Sequence, residues 1–110
     1  MSVLHHVVLI SFGTNVSEAT RQKIYDMYQS LGSDCGGKEA GVLFFHVGKN
    51  LDTRKNIHLV EVAMYRDNAA LQAFRVHPNH KMLTDILCAD PDTKWWVGDS
   101  IGPYPAPWGI

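Results

Sequence analysis

The chain has 110 residues, 45% hydrophobic and 19% charged, with a net charge of -1, which bounds it to one domain with a modest core. No lysine or arginine cluster stands out, so nucleic-acid and membrane surfaces are excluded as partners, and no apolar run is long enough to span a bilayer. The two cysteines, Cys35 and Cys88, are too few for a disulfide scaffold and fit a reducing, cytoplasmic setting.

Val3 to Phe12 reads as a first strand, rich in β-branched and aromatic residues. One face carries His5, Val7, Leu9 and Ser11 and the other His6, Val8, Ile10 and Phe12. Gly13 to Asn15 breaks the strand, and Ser17 is a natural N-cap for a helix from about Glu18 to Leu31, with Ile24, Tyr28 and Leu31 at helical spacing and Tyr25 beside them. Gly32 and then Gly36-Gly37 are expected to end it. Gly41 to Val47 is a second strand, with Val42, Phe44 and His46 opposite Leu43, Phe45 and Val47. A polar loop follows, holding Lys49, Arg54 and Lys55.

Ile57 to Tyr65 is the third strand, with Leu59, Glu61 and Ala63 opposite His58, Val60 and Val62. Asp67 or Asn68 caps the next helix, whose face carries Leu71 and Phe74. Pro78 disfavours helical backbone at His77 and suits the first position of a new helix. His80 then stands in that helix's opening turn, where the positive end of the dipole disfavours imidazolium, so it is expected to stay neutral and able to accept a proton. Lys94 to Ser100 is a fourth strand, with Trp95, Val97 and Asp99 on one side. Residues 1–101 form the expected domain. The tail, 102–110, alternates Pro103, Pro105 and Pro107 and is expected to dock Trp108 on a neighbouring surface.

The order β-α-β-β-α-β predicts an α+β, ferredoxin-like fold, a four-stranded antiparallel sheet with helices on one face. The strands are apolar on both sides, so a second sheet is expected over the open face, most simply from another copy in a homodimer. Strand alternation places His5 and His58 on the side of Val7, Leu9, Val60 and Val62. If that side faces the helices, His5, His58, His80 and Asp99 converge on an apolar small-molecule pocket beside Tyr25, Tyr28 and Phe74, as acid/base chemistry requires. His77 and His80 alone fall short of a zinc ligand set, and no cysteine sits at ligand spacing, so no metal or cofactor is expected.

The His5 strand, the segment His58-Leu-Val-Glu-Val62, and Leu71-Gln-Ala-Phe with His77-Pro-Asn-His80 together resemble the stress-responsive dimeric α/β-barrel family, Dabb. The resemblance runs to about Ser100. It implies a dimeric barrel and, by likeness to the family's polyketide cyclases, cofactor-free ring closure of a small hydrophobic carbonyl compound. It implies His80 as general base, with His5, His58 and Asp99 around the reacting atoms and Tyr25, Tyr28, His77, Trp95 and Val97 about the substrate. Phe74 departs from the pattern, standing where those cyclases carry a catalytic tyrosine, and Trp95 replaces a smaller aliphatic residue. A non-catalytic ligand-binding barrel, or a related isomerase or lyase, is the alternative.

Overall fold

Two short polar side chains start the helical segments. Ser17 Oγ accepts the Thr20 backbone N–H at 3.1 Å, and Asp67 Oδ1 accepts that of Ala70 at 2.8 Å, each satisfying an amide that a first turn leaves free. In this computed structural model, which describes residues 2–104, the order is β1 (Ser2–Ser11), α1 (Glu18–Asp34), β2 (Val42–Lys49), β3 (Leu59–Tyr65), α2 (Asn68–Val76), α3 (Pro78–Leu87) and β4 (Lys94–Pro103). The strands form one antiparallel sheet in the order β2-β3-β1-β4. The fold is α+β and ferredoxin-like, with the second helical segment divided in two.

That division is local chemistry. His77 leaves the helical region at φ -64, ψ 136, and Pro78 opens α3. The His77 ring then caps α3, its Nδ1 accepting the Asn79 backbone N–H at 3.1 Å. By contrast, Gly32 does not end α1, which runs on to Asp34. A Cβ at Gly32 would stand 2.8 Å from Cβ of Phe45, so this glycine serves the close approach of α1 to β2. Chain reversal comes later, at Gly36 with φ 106.

The helices cover the face of β1 that carries Leu4, His6, Val8, Ile10 and Phe12, which are all buried. From β3 the same side takes Leu59, Glu61, Ala63 and Tyr65. In β2 a register shift between Val42 and Phe44 turns Phe45 and Val47 inward along with Val42. Val42 therefore does not share a face with Phe44 and His46, because one extra residue in a strand reverses the alternation beyond it. Ile24, Tyr28 and Leu31 of α1, Leu71 and Phe74 of α2, and Leu83 and Leu87 of α3 close the core, each such side chain contributing roughly 1.5–3 kcal/mol by leaving water.

The opposite face is uncovered. His5, Val7 and Leu9 lie there with Val60, Val62 and Met64, and registers set Val7 beside Val62 and Leu9 beside Trp96. Val7, Phe44, Val62 and Trp96 are 40%, 45%, 38% and 52% exposed, a continuous apolar surface. β4 is longer than its sequence pattern predicts: it pairs with β1 as far as Pro103 opposite Ser2, so the first proline of the tail belongs to a sheet edge, where a missing N–H costs nothing. Trp108 lies outside the described residues. Among the described residues no helix is long and apolar enough to cross a membrane.

Candidate active site

β4 is exposed along nearly all its length, because the helices lie toward the other edge of the sheet, α1 against β2 and α2 against β3. The uncovered strip is one wall of a cavity of about 350 Å³. Its apolar lining comes from Val8, Leu71, Phe74, Leu87, Trp95 and Val97, and its polar groups are His6, Tyr28, Glu61, Arg75, His80, Thr84 and Cys88. An apolar hollow with a few convergent polar groups is the usual form of a small-molecule site.

His6 projects from β1 between two carboxylates. Its Nδ1 is 2.5 Å from Asp99 Oδ1, across the β1–β4 pair, and its Nε2 is 3.2 Å from Glu61 Oε2 on β3. The second contact is an ion pair rather than a directed hydrogen bond, since Glu61 Oε2 is buried with no hydrogen-bond partner among the described residues. Burial pulls the His6 pKa down, but its contacts with Glu61 and Asp99 outweigh that and hold it above the ordinary histidine value. The carboxylates on either side of His6 therefore favour its protonated form, with Nδ1 directed at Asp99 and Nε2 beside Glu61. Asp99 also accepts from Arg75 Nη2 at 3.4 Å.

His80 is the opposite case. Its Nδ1 lies 3.1 Å from the Arg75 carbonyl oxygen. A carbonyl can only accept, so Nδ1 carries the proton and Nε2 keeps its lone pair. Burial lowers the pKa of His80; the nearby charges of Arg75 and His6 lower it further, against the upward pull of Glu61 and the Arg75 carbonyl. The ring rests on Phe74, centroids 4.9 Å apart. Protonation is thus favoured at one histidine and disfavoured at the other in one cavity, the separation that divides acid from base roles. Tyr28 lines the same wall, its hydroxyl kept protonated by burial and then by the charge of Glu61.

The expected gathering of His5, His58 and His80 does not occur. His5 lies on the uncovered face, its Nε2–H donating to the Pro103 carbonyl at 3.0 Å. Val7, Leu9, Val60 and Val62 share that face. His58 precedes β3 and turns to the far end of the molecule, where its Nδ1 accepts the Phe12 backbone N–H at 2.9 Å. Tyr25 is there too, in a larger hollow of about 420 Å³ with Glu18, Arg21, Lys49 and Asn50. In that hollow Arg21 donates to the Gly13 and Val16 carbonyls and Lys49 to Gln22, and no base is paired with an acid, so its size does not make it the reactive site. His77 is spent on capping α3. Of the predicted set, His80, Tyr28, Phe74, Trp95 and Val97 line the cavity, with Asp99 at its edge.

Sequence pattern misses His6, Glu61 and Arg75. A signal was present for the first: the His6 face of β1 ends on Phe12 and the His5 face on Ser11, and the bulkier face is the one that buries. Glu61 was signalled by its place among Leu59 and Ala63, where a solvated carboxylate does not belong. Among the described residues no three His, Cys, Asp or Glu side chains are grouped to hold a metal ion.

The four-stranded antiparallel sheet with helices on one face places the chain among the ferredoxin-like α+β proteins. The profile of the stress responsive A/B barrel domain, Dabb, matches residues 4–90, and the chain belongs to that family. No curated protein matches it in sequence. Among solved structures it is similar to the hydroxynitrile lyase of Passiflora edulis, at TM-score 0.72 and 15% identity over 96% of this chain and 97% of that one. A dimeric ferredoxin-like protein of unknown function from Thermobifida fusca superimposes at TM-score 0.72, 16% identical over 90% of each chain. A Dabb protein of Mesorhizobium loti does so at 0.68, 15% identical over 94% of this chain and 99% of that one. At these identities the likeness is one of fold.

Proposed function

We propose that this chain is a cofactor-independent acid/base enzyme on a small hydrophobic carbonyl compound, most simply a cyclase closing a polyketide-like chain. The observation that carries the reading is the His80 ring itself. Its Nδ1–H is committed to the Arg75 carbonyl, and its unprotonated Nε2 belongs to a ring lining an apolar cavity. Nε2 takes a proton from the carbon beside a carbonyl. The C–H electron pair forms the enolate, whose carbon attacks a second carbonyl of the folded substrate, and the His80 imidazolium returns the proton to the new alkoxide. Tyr28 stands in the same cavity as a neutral donor. Orienting the two ends and moving the proton are the protein's contributions, the proton transfer being worth roughly 10²–10⁴-fold.

A carbon–carbon lyase uses the same groups in reverse, with His80 taking the proton of a hydroxyl. The hydroxynitrile lyase activity of the Passiflora relative supports that second reading, and so does Phe74, which lacks the hydroxyl of the cyclases. The apolar open face supports a homodimer, as does the dimeric state of the Thermobifida relative.

Deuterium exchange tests the shared step without the natural substrate. The α-protons of acetone, acetophenone and acetylacetone are followed by NMR in heavy water. Wild type is expected to exchange at least one of them faster than buffer, and His80→Gln to lose roughly 10²–10⁴ of that rate. No exchange above buffer, or equal exchange by the variant, makes the chain a binding barrel instead.

A further inference from the structure

Arg75 occupies two positions in this site at once. Its backbone carbonyl fixes the tautomer of His80, while its guanidinium lines the cavity that the His80 ring lines. The side chain is 41% exposed and makes one hydrogen bond among the described residues, from Nη2 to Asp99 Oδ2 at 3.4 Å. That contact is long for a charge-assisted hydrogen bond, and Asp99 holds His6 far more closely through its other oxygen, at 2.5 Å. Glu61 is also turned to His6, at 3.2 Å. Both anions of the site thus gather on the imidazolium. The guanidinium, with five N–H donors, thus keeps most of its donors uncommitted, on a residue that lines the same cavity as Leu71, Phe74, Trp95 and Val97.

The preceding residue makes this arrangement consequential. Phe74 is buried against Phe45, Tyr65 and His80 and has no hydroxyl to offer a developing negative charge. We propose that the Arg75 guanidinium binds the substrate oxyanion formed when His80 removes a proton, so that the cavity selects compounds yielding a conjugated oxyanion, such as 1,3-dicarbonyls and hydroxyaromatic ketones. The proposal rests on the reading of His80 as base. As the C–H bond breaks, its proton goes to His80 Nε2, its electron pair becomes the C=C bond, and the carbonyl π pair moves onto oxygen beside the guanidinium. No redox change is involved. A full positive charge stabilises that oxygen more than a neutral hydroxyl does.

The probe is 4-nitrophenol, whose phenolate and phenol forms differ in visible absorption, titrated into wild-type protein and variants checked for folding by circular dichroism. Wild type is expected to bind the phenolate in preference to the phenol. Arg75→Met, which keeps the aliphatic stem, should weaken phenolate binding roughly 10- to 100-fold with the neutral form little changed, and Arg75→Lys should restore part of it. Tyr28→Phe should keep most of the preference, and His80→Gln should keep it while losing proton exchange. Binding of the phenol alone by wild type, an Arg75→Met variant that still prefers phenolate, or a loss confined to Tyr28→Phe overturns the assignment. Failure of the base reading shows separately, as exchange that His80→Gln leaves intact.

Discussion

Replacing Glu61 by Gln preserves its shape and removes the charge 3.2 Å from His6 Nε2. At an effective dielectric of about 20 the attraction across that gap is about 5 kcal/mol, much of which offsets the cost of taking both ions out of water. Deleting one partner of a buried pair typically costs about 3–5 kcal/mol. Because His6 retains Asp99 on its other nitrogen, the expected loss for Glu61→Gln lies near the bottom of that range, at about 3 kcal/mol. The loss depends on pH in a defined sense. His6 has a raised folded pKa, so its stabilisation is complete below the unfolded value of about 6.5 and disappears as pH rises through the folded value. Wild type and variant should therefore differ most near about pH 6 and least at the alkaline end of the His6 titration, where the ring loses its charge and the native carboxylate its counter-ion. Urea unfolding followed by tryptophan fluorescence, at fixed protein concentration, measures both differences. An equal loss at the two pH values would assign the effect to packing. No loss near about pH 6 would mean that the pair contributes nothing.

The two histidines should also shape catalysis. His80 must be neutral and its pKa is lowered, whereas His6 must be charged and its pKa is raised. The exchange rate is thus expected to rise along an acid limb below about pH 6.5 and to fall along an alkaline limb above it; a profile whose only limb is the alkaline one contradicts the role of His80. Gly32→Ala forces a methyl to within 2.8 Å of Phe45 Cβ and should cost about 1–3 kcal/mol, read as a lower midpoint in thermal unfolding, and an unchanged midpoint would show that α1 can move off β2. Trp96→Glu puts a charge on the open face, where Trp96 is 52% exposed. It should reduce the particle from dimer to monomer in multi-angle light scattering, and a persisting dimer mass would place the interface elsewhere.

The parts of the fold governed by neighbours in sequence could be read without coordinates. Ser17 and Asp67 as caps, the break at His77-Pro78 and His80 in a first helical turn all follow from rules that act within four residues. Gly32 misled because the same residue type that ends helices also permits close packing against another element, and only the presence of Phe45 distinguishes the two. The β2 register shift at Leu43 had no periodic signature, so Val42 was placed on the wrong side.

The candidate site divides along the same line. Alternation establishes from sequence that His5 and His6 point to opposite sides, and that Glu61 and His58 do too. Which side meets the helices depends on the summed burial of the whole sheet, and that sum puts His6, Glu61 and Asp99 inside and leaves His5 on the uncovered face. His58 follows neither pattern, because β3 begins one residue after it and its ring is held by the amide of Phe12. The chain alone thus determines the elements, the α+β order, the neutral histidine after Pro78 and the loss of a hydroxyl at Phe74. Only tertiary structure decides that His6 lies between two carboxylates and that Arg75 lines the cavity, because ion pairs form between strands and helices whose residues the sequence keeps far apart.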